Sequence, residues 1–453
     1  MSKLPNGWES ARLDDLISLN PKQNFDDELT AGFVPMSHAP TNFRNKLRFD
    51  ERNWGEIKKA YTNFKNGDVI FAKVTPCFEN GKAAVVEGLP NGIGAGSSEF
   101  FVLRPSSVEV SAKYLLAVIK SHNFLRDGAE NMTGAVGLRR VPKKFVENYV
   151  VPVPPSSEQT RIALKLDELL AQVENLKSRI EAVPALLKRF RQAVLASAVS
   201  GRLTEEWRVS IDSSNSLATS WGCCKLGDIC SLVTSGSRGW ADYYSDCGTI
   251  FIRSQDINND ELDISNTAFV ELPETSEGKR TRVKFQDILI TITGANVGKV
   301  ARVNKMIPEA YVSQHVALVR LKKPEFAPFI ELFLKDTCSG RGMLTELAYG
   351  GGKPGLNLSN IRDLLVPIPI IEEQVEMASR VEKLFVLADR LDAKLASTTS
   401  CVNQLTQSIL AKAFRGELVP QDPSDEPATF MLKRIKAQRN ATPKTKFSRR
   451  AST

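Results

Sequence analysis

This sequence has little from which to build a metal centre or a covalent catalyst. Only three histidines, His38, His122 and His315, occur in 453 residues. The seven cysteines stand at irregular spacings with no Cys-x-x-Cys pair. A structural zinc site needs such clusters and is not expected, so the metal-ligand set is empty. An odd number of cysteines without a framework fits reduced thiols and a cytoplasmic chain. No apolar run approaches the roughly 18 residues of a membrane span, and Met1-Ser2-Lys3-Leu4-Pro5 lacks the apolar centre of a secretory signal.

Catalytic motifs are missing as well. Gly294-Ala295-Asn296-Val297-Gly298-Lys299-Val300 has one residue too few between its glycines for a phosphate loop. It also carries Val300 where a magnesium-binding hydroxyl belongs, so it reads as a turn between strands. There is no Asn/Asp-Pro-Pro-aromatic run and no evident Asp…Glu-x-Lys nuclease cluster. His38 and His315 read as loop or strand residues. No catalytic residue is assigned.

The net charge of +8 is unevenly spread. Beyond Leu418 stand Lys433, Arg434, Lys436, Arg439, Lys444, Lys446, Arg449 and Arg450 against Asp422, Asp425 and Glu426, which is +5 of that total. This basic tail, residues 417–453, reads as largely disordered around a short helix from Phe430 to Ile435. The rest of the chain is nearly balanced, so any polyanion contact must be a local patch rather than a bulk field.

What is present is a long repeat. Val150-Val151-Pro152-Val153-Pro154 is followed by Glu158-Gln159, and Leu365-Val366-Pro367-Ile368-Pro369 by Glu373-Gln374, at a constant shift of 215 residues. Ahead of each block lies a globular stretch with the same order of elements. Strands are predicted at Asp68–Ala72, Lys82–Val86 and Glu99–Leu103, then at Asp287–Thr291, Lys299–Val303 and His315–Val319. A helix follows in each, Ala112–Ile119 and Phe326–Leu334. The frameworks match and the loops between them do not, which describes one α+β fold used twice.

After each block the apolar residues alternate steps of four and three. Ile162, Leu166, Leu169, Val173, Leu176 and Ile180 continue to Leu187 and Val194, and the stripe returns as Val381, Leu384, Leu391, Leu395, Val402 and Leu405. Sustained spacing of this kind is a coiled-coil seam. Two helices of about 40–45 residues, roughly 60–65 Å at ~1.5 Å per residue, are predicted to pair antiparallel into a pseudo-two-fold dumbbell. Packing of each stripe on its own globular part is the alternative. Ser156 and Gln159 suggest a capping box. Gly201 and Gly416 suggest the stops. Pro184, with Thr398-Thr399-Ser400 at the equivalent place, suggests a kink or break. The expected boundaries are 1–155, 156–212, 213–370, 371–416 and 417–453.

These features together resemble the specificity subunit of type I restriction-modification enzymes, over nearly the whole chain. The resemblance rests on Pro152 to Gln159 and Pro367 to Gln374, and on the openings Gly7-Trp8…Leu13…Asp15 and Ser220-Trp221…Leu226…Asp228. Asn80-Gly81-Lys82 and Val297-Gly298-Lys299 add to it. The second helix departs slightly, with Ile370-Ile371 in place of Pro155-Ser156. The resemblance implies two target-recognition domains, each reading one part of a bipartite double-stranded DNA target, and spacer helices on which two modification subunits dock. It implies a non-catalytic subunit. S-adenosylmethionine, ATP and magnesium would be used by the modification and restriction subunits and not bound here.

Base edges are read by Arg, Lys, Asn, Gln and Ser on loops. In the first domain the candidates are Asn42, Arg44, Asn45, Lys46 and Arg48 beside Phe43, then Lys73, Arg139 and Arg140. In the second they are Ser235, Ser237, Arg238 and Trp240, then Arg253, Ser254 and Gln255, then Asn296, Gln314 and Lys353. Each taken singly also fits a solvated loop residue. The rival reading of the whole chain is a coiled-coil scaffold with protein-binding ends; a self-contained nuclease or methyltransferase lacks its motifs.

Overall fold

The computed structural model describes residues 4–135, 137–212, 221–271, 280–349 and 355–441. The chain divides into two compact units, one of residues 1–181 with 396–453 and one of residues 182–395.

The first unit is built on a four-stranded antiparallel sheet in the order Ile17–Leu19, Phe100–Pro105, Val69–Ala72, Ala83–Val85. The predicted strands lie within two residues of these, and the helix Ala112–Ile119 is as expected. A second sheet holds Asp50–Asn53, Thr30–Val34, Ile93–Gly96 and Thr62–Lys65 around a parallel central pair. Phe71 and Phe101 of the first sheet meet Tyr114 and Phe124 in the core. The second unit repeats the plan: Cys230–Ser235, Val316–Leu321, Ile288–Thr291 and Val300–Arg302 in the same order. Its other sheet also holds a parallel pair, Thr249–Ile252 with Ala310–Val312, here with Ala310–Val312 at the edge. The two units differ at their edges. Thr62–Lys65 joins the parallel strand in the first, whereas Tyr244–Ser245 joins the Ala268–Val270 strand in the second.

Each globular part closes where it began. Glu9–Arg12 pairs antiparallel with Val150–Val153, and Gly222–Lys225 with Leu365–Ile368. The doubled Pro-x-Pro…Glu-Gln block does its work at this closure. The Trp8 indole donates to Glu158 Oε2 at 2.9 Å, and the Trp221 indole to Glu373 Oε2 at 3.1 Å. Gln159 and Gln374 each donate a side-chain amide N–H to the carbonyl five residues back, Pro154 at 3.0 Å and Pro369 at 2.8 Å. Burial pushes the Glu158 carboxyl above its ordinary range, and the Trp8 hydrogen bond opposes that shift. In the second unit Glu373 also accepts from Thr204 and Arg208. The expected capping box does not form. The Ser156 hydroxyl donates to Glu109 O at 2.8 Å, and Gln159 Oε1 accepts from Ser111 N at 2.9 Å, so both side chains tie the helix to the domain instead.

The long helices run Ser156–Val199 and Ile371–Phe414, 44 residues each. Gly201 and Gly416 stand just beyond them at φ +76° and +70°, the left-handed turn that ends a helix. Both helices are continuous, so Pro184 causes no break. Within the second unit the pairing is antiparallel. Arg191 reaches Asp389 at 2.8 Å and Asp392 at 3.4 Å, and Val194 and Ala198 share a core with Met377 and Val381. In the first unit Ile162, Leu166 and Leu170 share a core with Leu410 and Ala413.

The seam is less uniform than its spacing. Ile162, Leu166, Val173, Val381 and Val402 are buried; Leu169, Ile180, Leu384 and Leu395 are half-buried. Leu176, Leu391 and Leu405 remain 42, 46 and 39% exposed. The stripe therefore serves two neighbours. Near its start it packs on its own domain as well as on the other helix, with Ile162 and Leu166 in the same core as Tyr114 and Leu116.

The tail also departs from expectation. Ala428–Ala441 is a 14-residue helix, and its Ala428, Met431, Leu432 and Ile435 are buried in the first unit's core. Burial of each larger side chain is worth about 1.5–3 kcal/mol, enough to order a short amphipathic segment. Arg434 is spent on Glu109 and Glu426, and Arg439 on Ser106. Residues 442–453, with Lys444, Lys446, Arg449 and Arg450, lie outside the described residues.

If the indole–carboxylate bond fixes each helix to its domain, Trp8→Phe and Glu158→Gln should be coupled. A double-mutant cycle read by thermal unfolding should return an interaction of about 1.5–3 kcal/mol, the range for hydrogen bonds to charged groups. Additive losses would contradict it.

Candidate nucleic-acid interface

Both units support their loops on the same buried ion pair. Asp68 and Asp287 are each 1% exposed on their side chains, at the start of the central strand. Arg104 binds Asp68 with two bonds, at 2.8 and 2.7 Å; Arg320 binds Asp287 at 2.8 and 2.6 Å. Each aspartate also accepts from the backbone three residues back, Lys65 and Lys284. Two-pronged pairing of this kind fixes the strand start, and hence the loop at its other end.

In the first unit four loops converge beyond that end: residues 35–48, 73–82, 97–99 and the hairpin of Thr133–Ala135 and Leu138–Arg140. Lys73 donates to Ser98 O at 2.8 Å, and Val74 bridges to Arg140. Arg140 grips Glu99 through Nε and Nη2 at 2.8–3.2 Å, which holds the Glu99 carboxyl below its ordinary range. Arg139 stands 3.6 Å from Glu79. Lys82 donates to Met36 O at 2.9 Å. The buried Lys120 ammonium binds the carbonyls of Thr41 and Gly81 at 2.8 and 2.7 Å and that of Pro40 at 3.4 Å.

The second unit gathers residues 235–240, 253–258, 293–299 and 313–315, with Thr293 bridging to Gly355. Arg253 Nη2 meets Asp256 and Asn266 O, both at 3.2 Å. Asn296 donates to Ser254 O at 3.4 Å, tying two loops together. Thr293 meets the His315 ring, whose other nitrogen lies 3.2 Å from Gln314. Gly236 is where the chain turns close to its neighbour: a Cβ there would sit 2.2 Å from Val312 O.

The candidates from sequence thus meet different fates. Asn42, Asn45, Lys46, Arg48, Arg238 and Gln255 are exposed, and Ser235 and Ser237 are half-exposed in the same cluster. Lys73, Arg139, Arg140, Arg253 and Asn296 sit in the clusters but hold neighbouring loops, so part of their hydrogen-bonding capacity faces inward. Arg44 turns to Glu174 on the first long helix, at 3.2 Å. Trp240 departs most from expectation. It is buried and stacks on Phe251 at 5.4 Å with Tyr311 edge-on at 5.7 Å, so it is core rather than a platform for bases. Lys353 lies outside the described residues. Sequence reading missed Lys120 and the Asp68–Arg104 and Asp287–Arg320 pairs. The doubled aspartate before each central strand was the available signal for the pairs; nothing marked Lys120.

Among the described residues no three His, Cys, Asp or Glu side chains are gathered as a metal site, and no helix is long and apolar enough to cross a membrane.

Comparison with known proteins places this doubled framework in one family. A family described as the type I restriction modification DNA specificity domain matches residues 5–185 and again 219–396. The specificity subunit of the type I restriction enzyme EcoBI of Escherichia coli is 36% identical over 338 residues, 70% of each chain. That of EcoKI, from strain K12, is 28% identical over 483 residues, 99% of each. In fold, the chain is similar to the crystal structure of the HsdS subunit from Thermoanaerobacter tengcongensis. The TM-score is 0.66 at 20% identity, covering 92% of this chain and 98% of that one. The chain belongs to the type I restriction-modification DNA specificity family.

The division between core and surface in the second unit can be tested by stability. Trp240→Ala should cost about 3–5 kcal/mol in denaturant unfolding, as a core aromatic does. Arg238→Ala should stay within about 0.5 kcal/mol. Equal small effects would return Trp240 to the surface.

Proposed function

We propose that this chain is the DNA sequence-recognition subunit of a type I restriction-modification complex, and that each unit's loop cluster reads one part of a bipartite double-stranded target. The observation that carries the reading is the contrast within the repeat. The closure bonds and the buried aspartate–arginine pair recur at equivalent places, whereas the loops they support share almost nothing. A protein under pressure to present two independent surfaces on one scaffold has this form. Exposed Asn, Lys, Arg, Gln and Ser on those loops supply the donors and acceptors that discriminate base edges. Lys46, Arg48 and Arg238 are the cations best placed to meet phosphate or guanine.

Each long helix is 44 residues long and carries residues of both units. Two modification subunits dock along them and add phosphate contacts that two nearly neutral domains lack. The modification and restriction subunits supply the chemistry with S-adenosylmethionine, ATP and magnesium; this chain supplies none. The scaffold reading explains the helices but leaves the polar divergence of the loops without a purpose.

The test is an exchange. Replacing residues 1–150 with the equivalent part of a family member, in a complex with modification subunits, should change one half of the methylated motif and leave the other intact. If both halves change, the two units are not independent readers.

A further inference from the structure

Lys120 ends the helix Ala112–Ile119, and Lys335, 215 residues later, ends Ala327–Lys335. The repeat puts these two lysines at one place in the fold, yet they are used differently. Lys335 donates to Glu331 Oε1 at 2.7 Å, one turn back on its own helix, and Arg302 holds the other oxygen at 2.7 Å. In the first unit Leu116 stands where Glu331 stands in the second, so Lys120 has no carboxylate on its helix. It is 5% exposed and turns to the carbonyls of Thr41, Gly81 and Pro40. Its three N–H donors meet three acceptors from two separate loops. Burial alone pushes its ammonium down to about 7, and the three carbonyls work against that shift by favouring the charged form.

Thr41 opens the run that carries Asn42, Arg44, Asn45, Lys46 and Arg48. Gly81 closes the turn that starts near Lys73. The far end of the first loop is held apart from this by Leu47 in one core cluster, while Phe43, beside Thr41, packs on another. We infer that Lys120 is a positioning residue for base recognition by the first unit, fixing these two loops to each other through their backbones without touching DNA. The inference rests on the reading of the loops given above. The second unit ties its corresponding loops by other side chains: Asn296, on the loop that matches Gly81's, donates to Ser254 O, and Arg253 holds Asp256 beside it. Its Lys335 is left to support the helix alone. The same repeated lysine is thus a determinant of specificity in one half only.

Lys120→Met keeps the length and apolar bulk of the stem and removes every donor. The test compares the unaltered complex with complexes carrying Lys120→Met or Lys335→Met, each made with modification subunits. Methylated sites are mapped, and amide exchange is followed in the same complexes. Lys120→Met should relax the first unit's half-site, with methylation of single-mismatch sites rising about tenfold, the scale of one lost base discrimination. The other half-site should be unchanged. Exchange should rise within residues 40–48 and 79–82, while Val69–Ala72 and Phe100–Pro105 stay protected. Lys335→Met should leave both half-sites as they were. An unchanged motif in Lys120→Met, beside a bipartite motif in the unaltered complex, overturns the inference. So does exchange that spreads into the central strands, which would make Lys120 a general support of the fold, or a half-site altered by Lys335→Met. If the unaltered complex shows no bipartite motif, the underlying reading of the loops fails first and takes this one with it.

Discussion

A tryptophan N–H on a buried carboxylate, made once in each half of the chain, is the interaction on which the rest depends. Trp8 lies at the opening of its globular part and Glu158 just inside the helix that follows it; Trp221 and Glu373 repeat the arrangement. The bond joins the first residues of a domain to the element that leaves it. The antiparallel pair of edge strands at the same place makes domain and helix a single body. A carboxylate taken out of water costs several kcal/mol unless it is well satisfied, so the partners around it are held to one geometry. Arg208 and Thr204 do this in the second unit.

Behind each set of loops stands a second shared constraint, the aspartate–arginine pair at the start of the central strand. With the strand start fixed by two bonds and the sheet by its buried aliphatic and aromatic side chains, the exposed residues of the loops at the opposite end carry little of the folding free energy. They are free to differ. That freedom has limits, because the loops still brace one another. Arg140 on Glu99, Arg253 on Asp256 and Asn296 on Ser254 spend polar groups on neighbours rather than on solvent. Exposed groups such as Lys46, Arg48 and Arg238 are presented on this brace. A loop cluster of this kind is ordered before it meets a partner and loses less entropy on binding.

Much of this was legible in the chain because it is written twice. The repeat marked the α+β fold, the strand and helix positions and the glycine stops at Gly201 and Gly416, since short β-branched runs and left-handed turns leave local signals. The roles of Glu158 and Glu373 were not legible, although the residues were conspicuous, because a partner 150 residues away leaves no local pattern. Ser156 and Gln159 read as a capping box by spacing, but stronger partners in the domain claimed both. Trp240 read with Ser235, Ser237 and Arg238 as a base-reading candidate, and Phe251 and Tyr311 drew it inward. The tail read as disordered from its charge. Its four buried apolar residues, Ala428, Met431, Leu432 and Ile435, outweighed that composition once the first unit offered a surface to cover. Lys120 carried no signal at all, since a lysine at a helix end is an ordinary solvated residue until two loops close over it.

The central question is whether this chain divides a DNA target in two. The most direct measurement is a genome-wide map of methylated bases in a host with modification subunits, with and without the gene for this chain. The account predicts a motif that appears only with the gene, with two unlike specified halves separated by a gap of constant length. An undivided motif, a gap that varies from site to site, or methylation that does not depend on the gene would contradict it.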